Sequence, residues 1–445
     1  MYCLTRLEQM PAIPVNASDY SILEKPERFH KRILYHIKHA KQRIIMTMLY
    51  LQNDEAGREI LDALYEAKQE HPNLHVCVYV DFHRAQRGRI GDPNQENNSS
   101  YYLKKAQESQ NPIAIYGVPV KKRELFGVLH IKGFVFDDTV IYSGASLNDA
   151  YLAYNSHYRL DRYHEIHSKE LAHTLCSYIN EAFHINFAVQ DFSQGPVRDA
   201  KEIKDEIRQL RRHLSISQYK FKNSKLNSEE IGITPLVGLG TNNNQLNRVI
   251  IWGLYAARNE LFICTPYFNP PKQVMTAIED ALKRKVKVTL VVGDKKANDF
   301  YIPEHEKFNP IGAIPYVYEE NLRDFVQKVQ DYIDNKLLEV RIWEDEDNSY
   351  HLKGIYIDRS LAIITGNNLN PRAWKLDLEN GMLIHDPNHH MQEKFRHEQQ
   401  FILRKTHIIH SKEDIEDFDK YPEQIKSLLN KVRRFKASLI IKQLL

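Results

Sequence analysis

Helical and strand-like patterns of apolar residues alternate along the first half of the chain. From about residue 25, apolar positions recur every three to four residues, which predicts a helix that buries one face. A continuous apolar run at 44–51 predicts a buried strand, and a helix at about 56–69 and a strand at 76–80 follow it. Alternation of helices with buried strands is typical of layered α/β proteins.

The same order of elements occurs again in the second half of the chain. A helical pattern from about residue 245 leads to a strand at 261–264, a helix at about 271–284 and a strand at 286–292. A duplication of long period explains this order best. The pattern therefore predicts an α/β fold of two tandem layered repeats.

The repeats divide the chain into five predicted segments. They are an irregular lead-in (1–24), a first repeat (25–195), a charged helical connection (196–230), a second repeat (231–405) and a basic amphipathic helical segment (406–445). In the last segment, an apolar stripe through Ile425 and Leu429 lies opposite Lys and Arg residues. Such a helix either packs on its own domain or attaches to anionic lipid, at roughly 1 kcal/mol per well-placed cation, and the pattern leaves both open.

One short motif, His-x-Lys-x4-Asp, stands once in each repeat, at 130–137 and at 351–358. Each copy is followed by an apolar run and a glycine turn that ends in an asparagine. A His and a Lys two positions apart on a strand share one face, whereas the Asp at its odd offset points to the other. We therefore interpret Asp137 and Asp358 as orienting or structural groups. The formula also fits 410–417, but its filler there is polar and no glycine turn follows, so we discard it.

Two such motifs that face each other would form one complete site for phosphorus chemistry. One His attacks phosphorus and forms a phosphohistidine, while the other protonates the leaving oxygen and then takes a proton from the incoming hydroxyl. The groups that would neutralise the pentacoordinate phosphorus are Lys132, Lys353, Asn148 and Asn370. Two displacements predict net retention at phosphorus, with no metal and no cofactor. The competing interpretation, two buried core histidines, is disfavoured by their matched settings.

Bulk properties exclude several classes of protein. A chain of 445 residues can build two or three domains, and a net charge of +3 argues against a dedicated nucleic-acid partner. Its four cysteines form no CxxC pair, so neither a disulfide framework nor a zinc site is indicated, and a reducing cytosol is the simplest location. No apolar run approaches the roughly 20 residues that span a bilayer. We therefore expect any membrane role to be peripheral.

Both motifs and their flanks resemble those of the phospholipase D superfamily. The wider chain is similar to the bacterial CDP-diacylglycerol–serine O-phosphatidyltransferase branch of that superfamily. The strings that carry this resemblance are 64–68, 83–91, 128–149, 234–240, 293–303 and 365–380. The superfamily's Gly-Ser-x-Asn turn departs here, as Gly-Ala-Ser-Leu-Asn at 144–148 and Gly-Asn-Asn-Leu-Asn at 366–370. The resemblance implies two tandem phospholipase D-like α-β-α sandwich repeats that are related by a pseudo-twofold axis, with the active site at their interface.

The resemblance also implies an activity, namely phosphatidyl transfer from CDP-diacylglycerol to L-serine with release of CMP. It implies His130 as nucleophile and His351 as acid and base, with the reverse assignment as the alternative, and Glu379 as an acid that orients a catalytic His. Further substrate-binding candidates are Arg84, Arg87, Arg89, Tyr267, Asn368 and Arg372. A solvated basic loop and ordinary core packing are the alternatives for the first arginines and the tyrosine. In the charged run at 158–164, Arg159, Asp161 and Arg162 are candidates for serine recognition.

Rival functions come from the same superfamily or from outside it. A hydrolytic phospholipase D, a nuclease and a cardiolipin synthase share the motif, although the last usually carries N-terminal membrane helices. The non-catalytic alternative is a membrane- or RNA-binding protein with a vestigial site. The intact His and Lys of both motif copies argue against it. The expected partners are CDP-diacylglycerol, L-serine and an anionic membrane surface. The expected location is the cytoplasm, peripheral on the inner face of the cytoplasmic membrane.

Overall fold

The computed structural model describes residues 2–88, 96–184 and 186–434. Two mixed β-sheets form its frame, one of eight strands and one of nine. The candidate Arg89 and the end of the predicted basic segment, 435–445, lie outside the described residues.

The first half of the chain supplies every strand of the eight-stranded sheet, together with two strands that belong to other sheets. Its strands are β1 (Ile13–Asn16), β2 (Tyr20–Ile22), β3 (Arg43–Thr47), β4 (His75–Asp81), β5 (Ala114–Val118), β6 (Gly133–Phe136), β7 (Thr139–Ser143), β8 (Arg159–Leu160), β9 (Tyr163–His167) and β10 (Gln190–Asp191). Its helices are α1 (Tyr2–Glu8), α2 (Pro26–His39), α3 (Glu55–Glu70), α4 (Phe82–Gln86), α5 (Asn98–Glu108), α6 (Lys169–Ile179) and α7 (Lys204–Leu214). The strand order is β10-β5-β4-β3-β6-β7-β9-β2.

The second half supplies eight of the nine strands of the other sheet and one strand, β15 (Ser349–Tyr350), that pairs with β8 in a two-stranded sheet. Its strands are β11 (Glu230–Leu239), β12 (Glu260–Thr265), β13 (Lys287–Gly293), β14 (Leu338–Trp343), β15 (Ser349–Tyr350), β16 (Gly354–Ile357), β17 (Leu361–Thr365), β18 (Leu378–His385) and β19 (Thr406–Ile409). Its helices are α8 (Gln245–Ala256), α9 (Lys272–Lys283), α10 (Ile314–Lys328), α11 (Gln330–Asp334), α12 (Pro371–Lys375), α13 (Gln392–Leu403) and α14 (Glu423–Arg434). The strand order is β1-β11-β18-β17-β16-β12-β13-β14-β19.

Matching strand neighbours in the two sheets confirm the predicted α/β duplication. In the first sheet, β3 lies between parallel β4 and antiparallel β6, the strand that follows the His-x-Lys motif. In the second sheet, β12 lies in the same way between parallel β13 and antiparallel β16. Each motif strand therefore occupies the same place in its own repeat, as a pseudo-twofold relation requires.

Three hydrophobic clusters hold the layers together. One lies beneath α2 and α3 on the outer face of the first sheet, and one beneath α8 and α9 on the outer face of the second. The third is shared, because it joins residues of both sheets, such as Tyr142 and Ile364, with residues of α6, α7 and α13. The shared cluster makes the two repeats one packed body, and it lies under the ends of the motif strands.

The strand predicted at 44–51 is shorter in the structure, where β3 ends at Thr47. Its last apolar residues are nevertheless buried, and Leu51 forms an isolated bridge with Leu147 instead of extending the sheet. Burial without strand pairing explains why an apolar run alone overestimates the length of a strand.

The lead-in is not irregular, contrary to the expectation from its prolines. It forms α1, β1 and β2, and these two strands join different sheets: β1 pairs with β11 and β2 pairs with β9. Pro14 is tolerated because β1 is the edge strand of its sheet, where a missing N–H costs no ladder bond. The N-terminal segment thus ties the two repeats together.

The helix α14 packs on its own domain. Ile425 and Leu429 are buried in a small cluster with Tyr316 and Tyr421. This favours the packing alternative over lipid insertion for the described part of the apolar stripe, and it leaves the cationic side, including Lys431, toward solvent.

Candidate active site

Each motif His lies beside a short strand contact with the opposite repeat. The residue before His130 bridges Leu378, and the residue before His351 pairs with Leu160. The backbone N–H of His130 donates to Leu378 O at 2.9 Å, and that of His351 donates to Leu160 O at 2.8 Å. Because each of these leucines is followed by an acidic residue, each His receives a carboxylate from the other repeat.

Glu379 is the carboxylate beside His130. Nδ1 of His130 lies 2.9 Å from Oε2 of Glu379, and both side chains are buried. Asn380 anchors the same strand, since its side chain accepts from Lys132 N at 2.9 Å and donates to Lys132 O at 2.8 Å. The predicted orienting acid therefore lies against a motif His, across the boundary between the repeats.

Asp161 is the matching carboxylate beside His351, and sequence reasoning did not assign it this place. Its Oδ2 lies 2.9 Å from Nδ1 of His351 and 3.1 Å from Nζ of Lys353. A signal was available, because Asp161 and Glu379 each follow a leucine that comes after a glycine turn. Unequal spacing from the two turns hid the equivalence.

The two glycine turns touch each other at the centre of the site. A Cβ added at Gly366 would lie 3.9 Å from Cα of Gly144 and 3.5 Å from Cγ of Lys132. A Cβ added at Gly144 would lie 2.6 Å from a carboxylate oxygen of Asp161. The absence of a side chain at Gly144 therefore leaves room for the Asp161 carboxylate beside His351, and the turn at Gly366 lies within ordinary contact distance of Lys132 in the other repeat.

Burial determines the protonation of the histidines and cations in this site. Burial lowers the pKa of His130 well below its ordinary value and lowers the pKa of His351 to about 4, with the motif lysines adding to both effects. It also lowers the pKa of Lys132 to about 7 and depresses that of Lys353. Both imidazoles are therefore neutral at pH 7, the form that can attack phosphorus or accept a proton.

The two orienting carboxylates differ in their electrostatic surroundings. Burial raises the pKa of Glu379 to about 8, against the opposing effect of the two motif lysines. For Asp161, burial opposes ionisation, but Lys353 and His351 hold its pKa below the ordinary value. Asp161 is thus a fixed anion at neutral pH, whereas Glu379 titrates close to it.

Two buried oxygen atoms near the motifs have no hydrogen bond within the described part of the chain. They are Oε1 of Glu379, whose Oε2 faces His130, and Oδ1 of Asn368 in the second glycine turn. Buried polar atoms are normally paired, so the unpaired Oε1 beside His130 fits a site that takes a polar ligand.

The motif aspartates lie away from the histidines. Asp137 accepts backbone N–H groups of Lys41, Gln42 and Arg43 at 2.8–3.0 Å, and Asp358 accepts those of Arg258, Asn259 and Glu260 at 2.7–2.9 Å. Asp137 therefore clamps the start of β3 onto its motif strand, and Asp358 clamps the start of β12 in the same way. This geometry agrees with the opposite face that the odd offset predicts.

The turn asparagines cap short helical turns. Oδ1 of Asn148 accepts from Tyr151 N, and Oδ1 of Asn370 accepts from Ala373 N, both at 2.9 Å. The two residues hold equivalent places in the two repeats, with the carbonyl end of each amide directed at the backbone.

The other predicted substrate-binding residues are spread around the site. Arg84 lies 4.6 Å above the ring of Tyr50, and Arg87 forms an ion pair with Glu124 at 2.8 Å. Arg372 pairs with Asp377 at 3.2 Å and donates to the Glu124 carbonyl at 2.8 Å, so it fastens α12 to the first repeat.

Tyr267 stands beside His351, with ring centroids 5.9 Å apart. Its other face stacks on Tyr318 at 5.4 Å. One predicted site residue is therefore in direct contact with a motif imidazole.

Two negative findings apply to the described residues. No group of three or more His, Cys, Asp or Glu within 2–88, 96–184 and 186–434 could hold a metal ion. In the same ranges, no helix has both the length and the apolar character that crossing a membrane requires.

Comparisons with known proteins agree on one family. A family model described as "Cardiolipin synthase, PLD-like domain" matches residues 33–183 and again 250–399. The chain is 43% identical over 440 residues to the CDP-diacylglycerol–serine O-phosphatidyltransferase PssA of Escherichia coli K12, with 99% of this chain and 97% of that protein covered. It is 42% identical over 443 residues to the CDP-diacylglycerol–serine O-phosphatidyltransferase of Haemophilus influenzae, with 99% and 97% covered. The crystal structure of phosphatidylserine synthase from Haemophilus influenzae Rd KW20 matches with a TM-score of 0.96 at 42% identity, over 100% of this chain and 99% of that one.

Proposed function

The chain belongs to the phospholipase D superfamily, in the branch of the bacterial CDP-diacylglycerol–serine O-phosphatidyltransferases, and from this premise we propose that it transfers a phosphatidyl group from CDP-diacylglycerol to L-serine. The observation that carries the proposal is the reciprocal pairing of two buried imidazoles with carboxylates of the opposite repeat, at 2.9 Å in both cases. A site made twice, from both halves, supplies two imidazoles for two successive displacements.

In the first displacement, His130 attacks the phosphorus atom that carries the diacylglycerol. When Glu379 is ionised, it accepts the Nδ1–H of His130, and the lone pair of Nε2 is then free to form the N–P bond. The bond from phosphorus to CMP breaks, and CMP leaves as a phosphate monoester. Because the second pKa of such a monoester is about 6, CMP needs little protonation to depart at neutral pH.

In the second displacement, His351 acts as general base. Its neutral imidazole takes the proton of the serine hydroxyl, the serine oxygen bonds to phosphorus, and the N–P bond to His130 breaks. Asp161 stabilises the imidazolium that forms, in the way a buried carboxylate supports a catalytic His elsewhere. The two inversions give net retention at phosphorus.

The buried ammonium groups are suited to the charge that develops on phosphorus. Lys132 and Lys353 are almost fully buried, where an ion pair with phosphate is much stronger than in water. Burial lowers the pKa of both, and a bound anion would raise it again and secure their charge. Substrate binding thus completes the electrostatic balance of the site.

Product analysis tests the function. Purified protein is incubated with CDP-diacylglycerol in mixed micelles, with and without labelled L-serine, and the lipids are separated. We expect labelled phosphatidylserine and an equal amount of CMP. Equal phosphatidic acid in both samples, with no labelled lipid, would assign a hydrolytic phospholipase D instead. Transfer to glycerol or phosphatidylglycerol in preference to serine would favour the synthases of other phospholipids.

We also propose peripheral attachment to an anionic membrane on the cytoplasmic side. The substrate is a lipid, and α14 places its apolar residues against the protein, so attachment would depend on the charge of exposed side chains such as Lys431. Sedimentation with vesicles that contain anionic lipid is expected to fall with added salt, because surface charges are screened beyond about 10 Å at 0.1 M. If the sedimented fraction changed neither with the lipid charge of the vesicles nor with the salt concentration, this mode of attachment would be contradicted.

A further inference from the structure

A closed ring of side chains connects His351 to a charged pair. Tyr151 OH lies 2.9 Å from Nδ1 of His351, and Cζ of Arg159 lies 4.8 Å from the centre of the Tyr151 ring. Nε of Arg159 lies 2.9 Å from Oδ1 of Asp299. Tyr267 closes the ring, because its OH donates to Oδ2 of Asp299 at 3.3 Å and its aromatic ring faces His351.

The charged pair keeps binding capacity for a ligand. The Arg159 and Asp299 side chains are 16% and 20% exposed, so both are accessible although they line a largely buried site. Nε of Arg159 faces Asp299 and donates to Ser349 Oγ at 3.2 Å, and within the described part of the chain neither Nη of Arg159 forms a hydrogen bond. The Arg159 guanidinium therefore has two nitrogens that can donate to a ligand, and it lies next to the Asp299 carboxylate and near the proposed base, His351.

This arrangement matches the polar groups of a free α-amino acid. Such a molecule carries a carboxylate and an ammonium on one carbon, so a guanidinium and a carboxylate side by side complement it. The hydroxyl and carboxylate oxygens of serine are roughly 3–4 Å apart, and two hydrogen bonds of about 2.8 Å each extend the reach to about 9 Å. Tyr151 contacts both groups, with its OH 2.9 Å from Nδ1 of His351 and its ring centre 4.8 Å from Cζ of Arg159, so the imidazole and the guanidinium are separated by about that reach.

We infer, on the basis of the proposed function, that Arg159 and Asp299 form the acceptor subsite: Arg159 binds the α-carboxylate of L-serine and Asp299 binds its α-ammonium. The serine hydroxyl then points toward His351, which removes its proton. The pair thereby selects an amino acid over water or a simple alcohol as the acceptor.

The pseudo-twofold axis does not repeat this subsite at the other His. Tyr151 donates its backbone N–H to the asparagine at the end of the first turn, and the equivalent residue after the second turn is Ala373. An alanine cannot bridge His130 to a cation as Tyr151 bridges His351 to Arg159. The asymmetry assigns the acceptor to the His351 side and leaves His130 as the nucleophile.

Acceptor analogues test the two halves of the subsite separately. Ethanolamine lacks the carboxylate of serine, and 3-hydroxypropionate lacks the ammonium. For Arg159→Gln we expect kcat/KM for serine to fall about 10–100-fold, with little further loss for ethanolamine, because one charged hydrogen-bonding group is removed. For Asp299→Asn we expect a similar fall for serine, with little further loss for 3-hydroxypropionate.

The first half-reaction, in which CMP leaves CDP-diacylglycerol, tests the proposed function separately from the proposed serine subsite. Exchange of labelled CMP into CDP-diacylglycerol needs no serine, and both variants should retain it within about threefold. Arg341→Gln is the matched control, since Arg341 forms an ion pair with Glu339 at 2.6 Å and is 19% exposed, but lies outside the site. Thermal melts identify any variant that fails to fold, and Arg159→Lys, which keeps the charge, then takes the place of Arg159→Gln.

Two results would overturn the subsite. One is an unchanged KM for serine in both variants. The other is loss of CMP exchange together with a raised KM for CDP-diacylglycerol, which would assign the pair to the donor. Failure of the wild-type protein to make phosphatidylserine would instead refute the proposed function, and that result needs no variant.

Discussion

Replacing Asp161 by Asn removes one negative charge from the site and keeps the size of the side chain. The carboxylate of Asp161 accepts from Nδ1 of His351 at 2.9 Å and from Nζ of Lys353 at 3.1 Å. Hydrogen bonds to a charged group contribute about 1.5–3 kcal/mol each, so loss of both contacts with the carboxylate costs about 3–6 kcal/mol. At 1.36 kcal/mol per factor of ten, kcat should fall by about 10²–10⁴.

The step that slows distinguishes this prediction from a general loss of structure. Asp161 positions the proposed base of the second displacement, so Asp161→Asn should still release CMP in a first-turnover burst and then stall. Glu379→Gln is the matched variant of the other repeat, and it should lose the burst itself because the nucleophile is misoriented. Rapid-quench measurement of CMP with CDP-diacylglycerol and serine reports both phases.

A particular outcome would refute this reasoning. If Asp161→Asn lost the burst and the steady-state rate to the same degree while Glu379→Gln kept its burst, the assigned roles of the two imidazoles would be reversed. If Asp161→Asn turned over within about threefold of wild type, its pairing with His351 would have no catalytic importance. A thermal melt of each variant shows whether the fold is intact.

Three further predictions concern pH, steric space and the motif aspartates. Because the pKa of Glu379 is about 8 and that of Lys132 is about 7, the plot of kcat/KM against pH should be bell-shaped with its maximum near pH 7–8. On the acid side, protonated Glu379 no longer accepts the Nδ1–H of His130. On the alkaline side, loss of the Lys132 charge weakens phosphate binding. A rate that is flat from pH 5.5 to 9.5 would contradict this prediction. Gly144→Ala should lower kcat by about tenfold or more, because the new methyl group would lie 2.6 Å from a carboxylate oxygen of Asp161 and would push that carboxylate away from His351. Asp137→Asn should lower the free energy of unfolding by about 1–3 kcal/mol in urea titration and leave kcat nearly unchanged, since it binds only backbone amides; a large loss of kcat in a stable variant would show a catalytic role instead.

The matched control for the steric prediction is Gly366→Ala. A Cβ at Gly366 has its nearest neighbour at 3.5 Å, which is ordinary contact, so a smaller loss of kcat is expected. Equal losses from the two alanines would mean that the turns themselves, and not the position of Asp161, are disturbed.

The sequence predicted the class of fold because the apolar periodicity of both halves is regular. It also predicted the two motifs and Glu379, because a motif residue or a family resemblance identifies each. It did not identify the role of Asp161, because reciprocal pairing of a His with the acid of the other repeat is a tertiary contact that neither periodicity nor spacing encodes. The lead-in was also misjudged, since Pro14 is acceptable only at the sheet edge where β1 lies.

The pairing of Arg159 with Asp299 lay beyond sequence reasoning for a similar reason, although the charged run that contains Arg159 was a candidate for serine recognition. The two residues are far apart in the chain, and Asp299 lies in one of the strings that carry the family resemblance, which gives it no partner. Only the docking of the second repeat against the first brings it to Arg159, in the same way that docking brings each acid to its His.

Trapping the covalent intermediate tests the central claim most directly. CDP-diacylglycerol labelled in its phosphatidyl phosphate is mixed with the His351→Ala variant, quenched in alkali, in which phosphohistidine survives, and digested for mass spectrometry. The account predicts one phosphatidyl group per chain on His130, which persists because no base activates serine, and no adduct in His130→Ala. An adduct on His351 in the wild-type chain, or no adduct on either imidazole in any variant, would contradict it.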